Sequence, residues 1–401
     1  TEALEASLKQ VNQWPEKPVK IPTPAGNIWI GTEKPDIHAE PSLLVIDPAG
    51  QDRYKGRSGR ANGLLGEYVS VIIDLQGSDY YRGNKFLGPG AGFWGIQQLV
   101  DLEGDDQYVA DYIGQASGLF GVAWLDDRKG RDRYHAGAAS QAGAYCGLGV
   151  LIDESGHDSY HVGLYGQGYA GVMGCGLLID NAGNDRYFAG GVELDHERHG
   201  DYFLSLAQGF SIGMRPFIGG GFAALVDQAG DDVYQADVYG QGVSYWYSTA
   251  MLFDRSGNDA YTVYEYGQGS GIHLSLGLFA EGGGDDTYFG HSLSQGNAHD
   301  YAVGMMFEQG GNDRYVSDHY SQGCAIHCSM AFLIDSDGDD VYETENIRKG
   351  QGVGNHGRTR EYGSMALLID LKGSDRYSVE VENGKPVERR LYGVIYDVDA
   401  D

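Results

Sequence analysis

Long apolar runs are missing from this chain: no segment approaches the ~20 residues that a membrane-spanning helix needs, so helical membrane insertion is not expected. Cysteine is scarce. Four in 401 residues do not make a disulfide framework, and their spacing suits bridging poorly, since Cys146 and Cys175 lie 29 apart while Cys324 and Cys328 share one segment. Free thiols are the expectation. Basic residues are few, 28 against 57 acidic, and the formal charge of -29 argues against a nucleic-acid backbone or an anionic membrane surface as partner. Helix-period segments are absent from the body of the chain, which also carries 64 Gly, and this excludes an α-solenoid. The start, TEALEASLKQVNQWPEKP, lacks the charged-then-apolar form of a signal peptide. A processed secretory protein reads the same way, and a secreted or periplasmic location, with the leader removed, is the expectation.

What is present is a repeat. The pattern DxxGxDxY occurs twelve times, its first acid at Asp47, Asp74, Asp101, Asp127, Asp153, Asp180, Asp227, Asp254, Glu281, Glu308, Asp335 and Asp370. Most intervals are 26 or 27 residues; two are stretched to 47 and 35. Asp397 begins a further copy in register. Before each motif lies a short apolar stretch such as Leu43–Ile46 or Leu177–Ile179, too short for a helix and bounded by turn residues, which reads as a buried strand. The Gly and Asp of the motif supply a tight turn, and its Tyr opens a second strand. About fourteen residues after the first acid comes a third signal, Gln followed by Gly or Ala, at Gln115, Gln141, Gln167, Gln241, Gln268, Gln295 and Gln322. Each coil therefore has three strands and three corners. The expected fold is all-β, a single-domain parallel β-helix with about 27 residues per coil and twelve full coils plus a partial thirteenth, wound right-handed by the chirality that governs parallel crossovers. Residues 1–40, with the amphipathic segment Leu4–Trp14, are expected to cap it; residues 41–401 form the helix, with insertions near 190–219 and 352–364.

Stacked acids place like charges one rung (~4.8 Å) apart, a repulsion that needs hydrogen bonds, cations or both. Gly282–Tyr288 (GGGDDTY) and Gly310–Tyr315 (GGNDRY) partly resemble the calcium-binding glycine-rich repeat of secreted toxins, although here the motif occurs once per coil and the ion geometry does not carry over. Asp335, Asp337 and Asp340 in DSDGDD have the alternating carboxylates of a calcium loop without its distal Glu. The stacked Tyr residues read as scaffold.

Exceptions to the repeat point toward function. Counting eight residues back from each motif start gives one column, Trp246, His273, Asp300 and His327, with His356 as its plausible extension and Tyr362 as the competing alignment; earlier coils place Val172 or Gly219 there. His299 sits beside Asp300, extra His291 and His319 lie nearby, and Glu281 and Glu308 replace Asp in the same coils. The insertions GGVELDHERHGDY and SIGMRPFIGG on one side and NHGRTREYGS on the other bracket this column. Both are expected to leave the coil beside it and to wall a groove ~20 Å long by rung spacing.

The architecture resembles the right-handed parallel β-helix superfamily, which includes pectate-lyase-like lyases, polygalacturonase-like hydrolases and uronate epimerases; the resemblance implies an extended polysaccharide or oligosaccharide in the groove, and no catalytic residue carries over from it. Tyr245, Trp246 and Tyr247 offer sugar-stacking faces. Elimination would use His327 or His273 as base with Arg215, Arg358 or Arg360 neutralising a substrate carboxylate, whereas hydrolysis would use a carboxylate pair from Asp300, Glu281 and Glu308. Two other readings stand: a zinc or other transition ion on His273, Asp300 and His327, and a non-enzymatic, calcium-stabilised extracellular scaffold.

Overall fold

The structure is a computed structural model and describes residues 6–8, 10–354 and 363–398. It is all-β, a parallel β-solenoid of about 13 turns with the repeat spacing read from the sequence. Most turns give one strand to each of three sheets, of which the third has ten strands among the described residues. In the first sheet Leu44–Asp47 pairs in parallel with Val69–Asp74 so that Asp47 lies opposite Asp74, and the register runs unbroken to Met365–Asp370 and Gly393–Asp397. In the second sheet Tyr54 lies opposite Tyr81. The third is built of short strands from Arg60–Asn62 to Ala325–Ile326.

Strand periodicity explains what goes inside. In Leu276–Glu281 alternate residues are buried, so Gly277, Phe279 and Glu281 face the core. The last inward position is the first acid of the motif, which the repeat therefore buries in every turn. Its charge is answered by the Tyr of the preceding turn: Tyr160 Oη donates to Asp180 Oδ2 at 2.7 Å, Tyr187 to Asp227 at 2.7 Å and Tyr234 to Asp254 at 2.6 Å. The rings themselves stack, Tyr134 on Tyr160 at 4.7 Å and Tyr160 on Tyr187 at 4.8 Å, each pair contributing ~0.5–1.5 kcal/mol beyond its buried area.

The second acid of each motif is a turn device. Asp158 N–H donates to Asp185 Oδ1 at 2.5 Å and Asp185 N–H to Asp232 Oδ1 at 2.5 Å, a chain that links every rung from Asp36 to Asp375. Gln closes the opposite corner: Gln141 Nε2 reaches Tyr134 O at 3.0 Å and His161 O of the next turn at 2.9 Å. Only a long side chain with two N–H groups spans both carbonyls.

Stacked register begins earlier than the expected boundary at residue 41. Gly26–Ile30 already pairs in parallel with the Leu44–Asp47 strand, and Ile37–His38 pairs with Arg53–Tyr54. His38 takes the Tyr place, stacking on Tyr54 at 4.9 Å with Nε2 2.7 Å from Asp47 Oδ2. Antiparallel strands close both ends of the first sheet, Val19–Thr23 on Gly26–Ile30 and Val387–Arg389 on Gly393–Asp397, so neither end offers a bare parallel edge there. Part of the segment Leu4–Trp14 lies outside the described residues. The four cysteines are unbridged, as their register implied.

Replacing Tyr187 by Phe keeps the ring stack and removes the donor to buried Asp227, with an expected loss of about 1–3 kcal/mol in denaturant unfolding. Unchanged stability would mean that the phenol does not hold the acid.

Candidate functional site at the third corner

Between the third and first sheets the chain turns a corner in the left-handed region, and the turn changes half-way along the solenoid. In the coils of Gln115 and Gln141 twelve residues separate Gln from the next acid, and one left-handed residue, Phe120 (φ 49°) or Cys146 (φ 47°), precedes a Gly. From Gln241 to Gln322 the interval is thirteen, and two consecutive left-handed residues make the turn: Trp246–Tyr247, His273–Leu274, Asp300–Tyr301 and His327–Cys328. Buried serines take over the role of the missing Gly. Ser275 Oγ accepts from Ile272 N–H at 3.0 Å and lies 2.9 Å from Ser244 O of the previous turn. His273, Asp300 and His327 occupy the residue added to the corner. Their column is thus a product of one extra residue per turn.

The column closes on Asp300, which is 4% exposed. His327 Nδ1 lies 3.0 Å from Asp300 Oδ1 and His273 Nδ1 lies 3.1 Å from Oδ2, so one carboxylate holds an imidazole from the turn above and another from the turn below. His299 Nδ1 is 3.6 Å from the same Oδ2. Arg215, on the turn closed by the Met214–Ile218 bridge, places Nη1 3.3 Å from His273 Nε2 and 3.2 Å from Tyr245 Oη, with its guanidinium 5.3 Å from the Trp246 ring centre. A guanidinium can only donate, so His273 Nε2 accepts. The His273 proton therefore sits on Nδ1 and points to Asp300. The result is a continuous relay, Arg215 to His273 to Asp300 to His327.

Beside the relay lies a shallow hollow of about 450 Å³ lined by Tyr247, Leu274, Tyr301 and the serines of the corner. Tyr247 and Tyr301 are each 57% exposed. Tyr301 was not among the residues singled out from sequence, although it stands two turns below Tyr247 in one column seven residues before each motif. Trp246, expected as a stacking face, has Arg215 over it, and Tyr245 packs edge-on to His273 at 5.0 Å.

Several sequence expectations are redistributed. Glu281 and Glu308 are buried inside the solenoid, accepting from Tyr261 and Tyr288, and are ordinary rungs of the acid ladder rather than departures beside the groove. Neither can pair with Asp300. His291 and His319 belong to the second sheet, His291 stacked on Tyr264 and His319 bound to Asp318 at 2.6 Å. Asp335 and Asp340 are interior, while Asp337 is exposed and paired with Lys372 at 3.0 Å, so the DSDGDD carboxylates divide between core and surface. The residue opposite Trp246 is Gly213 rather than Gly219, because Met214–Gly220 is the insertion. The other insertion does not leave beside the column: Glu193–Asp195 and His199–Ala207 form an antiparallel hairpin on the second sheet, with Arg198 against Tyr239 and Tyr266. His356, Arg358, Arg360 and Tyr362 lie outside the described residues.

Comparisons with known proteins add no family. The chain matches no protein-family model, no curated protein and no solved structure.

Nitrogen-resolved NMR of the imidazoles checks the relay. His273 is expected as the Nδ1–H tautomer, and Asp300→Ala is expected to release both His273 and His327 from their fixed tautomers while the solenoid stays folded. Spectra of the two histidines left unmoved by that substitution would remove Asp300 from its bridging role.

Proposed function

We propose that the chain is a polysaccharide-acting enzyme that cleaves an extended acidic glycan by elimination along the third corner. The parallel β-solenoid is compatible with such an enzyme, and the observation that carries the reading is the Arg215, His273, Asp300, His327 relay. Elimination next to a carboxylate needs a cation to neutralise that carboxylate and a base to take the adjacent carbon-bound proton. Here the cation must also reverse locally the field of a chain with formal charge -29, which otherwise opposes a polyanionic substrate. Arg215 suits the first role, since the groups it hydrogen-bonds, the Tyr245 phenol and the His273 imidazole, are neutral. His327 suits the second: with Nδ1 held by Asp300, its Nε2 carries the lone pair. The proton passes to His327, the electron pair forms the carbon–carbon double bond, and the glycosidic oxygen leaves and is reprotonated by the imidazolium or water. Tyr247 and Tyr301 supply stacking faces for the sugar rings alongside. Hydrolysis by a carboxylate pair is disfavoured because Glu281 and Glu308 are core residues and Asp300 is committed to two imidazoles.

A second reading has one observation behind it: ligand atoms of His273, His299 and Asp300 all lie within 4.8 Å of one another, close enough to share a transition ion. Binding there would require Arg215 to leave His273 or His273 to ligate through Nδ1.

Incubation with uronate-containing polysaccharides is expected to yield an unsaturated, ultraviolet-absorbing product. Arg215→Ala and His327→Ala should each lower kcat/KM by about 10²–10⁴-fold with thermal unfolding unchanged, and Tyr301→Ala should act mainly on KM. Saturated reducing ends as the sole product would replace elimination by hydrolysis. Elemental analysis before and after chelation decides the second reading: a near-stoichiometric transition metal lost in His273→Ala supports it, and metal-free active protein eliminates it.

A further inference from the structure

The acid pair inside each motif has a property that the glycan reading does not use. Asp185 is 1% exposed; its Oδ1 accepts Asp158 N–H, but no donor reaches Oδ2. The same holds for Oδ2 of Asp79, Asp106, Asp132, Asp158 and Asp232. Beside it stands the other acid of the motif: carboxyl oxygens of Asp47 and Asp52, of Asp74 and Asp79, of Asp101 and Asp106 and of Asp127 and Asp132 lie within 4.8 Å of one another. Two ionised carboxylates buried that close together repel, and neither has a proton to give the other's unpartnered oxygen. We propose that each motif holds one proton shared between its two buried carboxyl groups, making the solenoid a column of proton-binding sites.

The surroundings supply no alternative counter-charge. Asp185 is faced by Asp180 of its own motif, by Asp153, Asp158 and Asp227 of adjoining turns and by backbone N–H groups; the phenols of Tyr160 and Tyr187 are spent on the first acids. Among the described residues His38 is the imidazole that enters the column, at its first rung, where burial lowers its proton affinity. Triads such as Asp79, Asp101 and Asp106 also bring their oxygens within 4.8 Å of one another, so a cation is the competing occupant that the test below has to exclude. A methyl group added to Gly183 would meet the Asp185 oxygens at 2.5 Å, so the Gly backbone lies directly on the carboxylate. Burial first, then neighbouring carboxylates, raise proton affinity along the column, Asp185 to about 7, Asp158 to about 9 and Asp106 to about 10. The folded state thus binds protons that the unfolded chain releases at the ordinary carboxylate range. That contribution is complete at acid pH and disappears as pH climbs toward 7 to 10, so stability falls with rising pH. One proton in each of twelve motifs also brings the formal charge of -29 to about -17 at neutral pH.

The test uses the full chain. Infrared spectra in heavy water at neutral pH are expected to contain the carbonyl stretch of protonated carboxylic acids at an intensity of about one per motif, disappearing at alkaline pH together with a falling melting temperature. Asp185→Asn replaces the shared proton by an amide N–H and keeps the Oδ1 acceptor; it should fold, match or exceed the parent above pH 9, and flatten the pH dependence by one proton. Asp185→Ala should lose stability at every pH. The proposal is overturned if the acid band is absent, if melting temperature rises between pH 5 and 9, if Asn is as damaging as Ala, or if about one divalent cation per motif is bound and its removal unfolds the protein.

Discussion

Everything in this protein depends on burying two acids per turn without leaving them as isolated charges. A solenoid whose repeat ends an inward-facing strand on Asp brings like charges together at rung spacing, and the fold survives because each acid meets donors that the repeat itself delivers. Tyr from the turn above serves the first acid, and the backbone N–H of the turn above serves the second. Both bonds cross between turns, so they tie rungs together as well as giving the acids donors. Tyr stacking then fills the core that the acids leave apolar on one side.

Against that uniform column the third corner is where the protein is free to vary. The Tyr and acid ladders do not pass through the corner turn, so an added residue there changes neither sheet register nor ladder. The extra position is used in consecutive turns to place His, Asp and His, and because the turns stack, three side chains far apart in sequence meet at hydrogen-bonding distance. The backbone remains left-handed at these residues, as it is at Phe120 and Cys146, so the conformation is a property of the corner rather than a sign of chemistry. Chemistry enters through side-chain choice and through Arg215, delivered by a separate insertion.

Much of this could be read without coordinates. The period alone implied three parallel sheets, the buried Tyr column and the column of His273, Asp300 and His327, since in a solenoid a sequence offset is a spatial neighbour. Legibility failed where register was interrupted. Counting back from Asp227 reached Gly219 because the count could not see that Met214–Gly220 bulges out, and the hairpin around Arg198 went to the wrong sheet for the same reason. Glu281 and Glu308 looked exceptional as letters and are conventional as structure, a longer acid reaching the same Tyr.

The sequence by itself determined the solenoid, its period, its inward Tyr and acid columns and which turns differ from the rest, because each of these follows from residue spacing and strand alternation. Tertiary structure decided which atoms face each other: that Asp300 bridges two imidazoles, that Arg215 fixes the tautomer of His273, and that the two acids of one motif lie side by side in the core. Those facts depend on side-chain direction at a corner and on distances of a few tenths of an ångström, which no periodicity encodes.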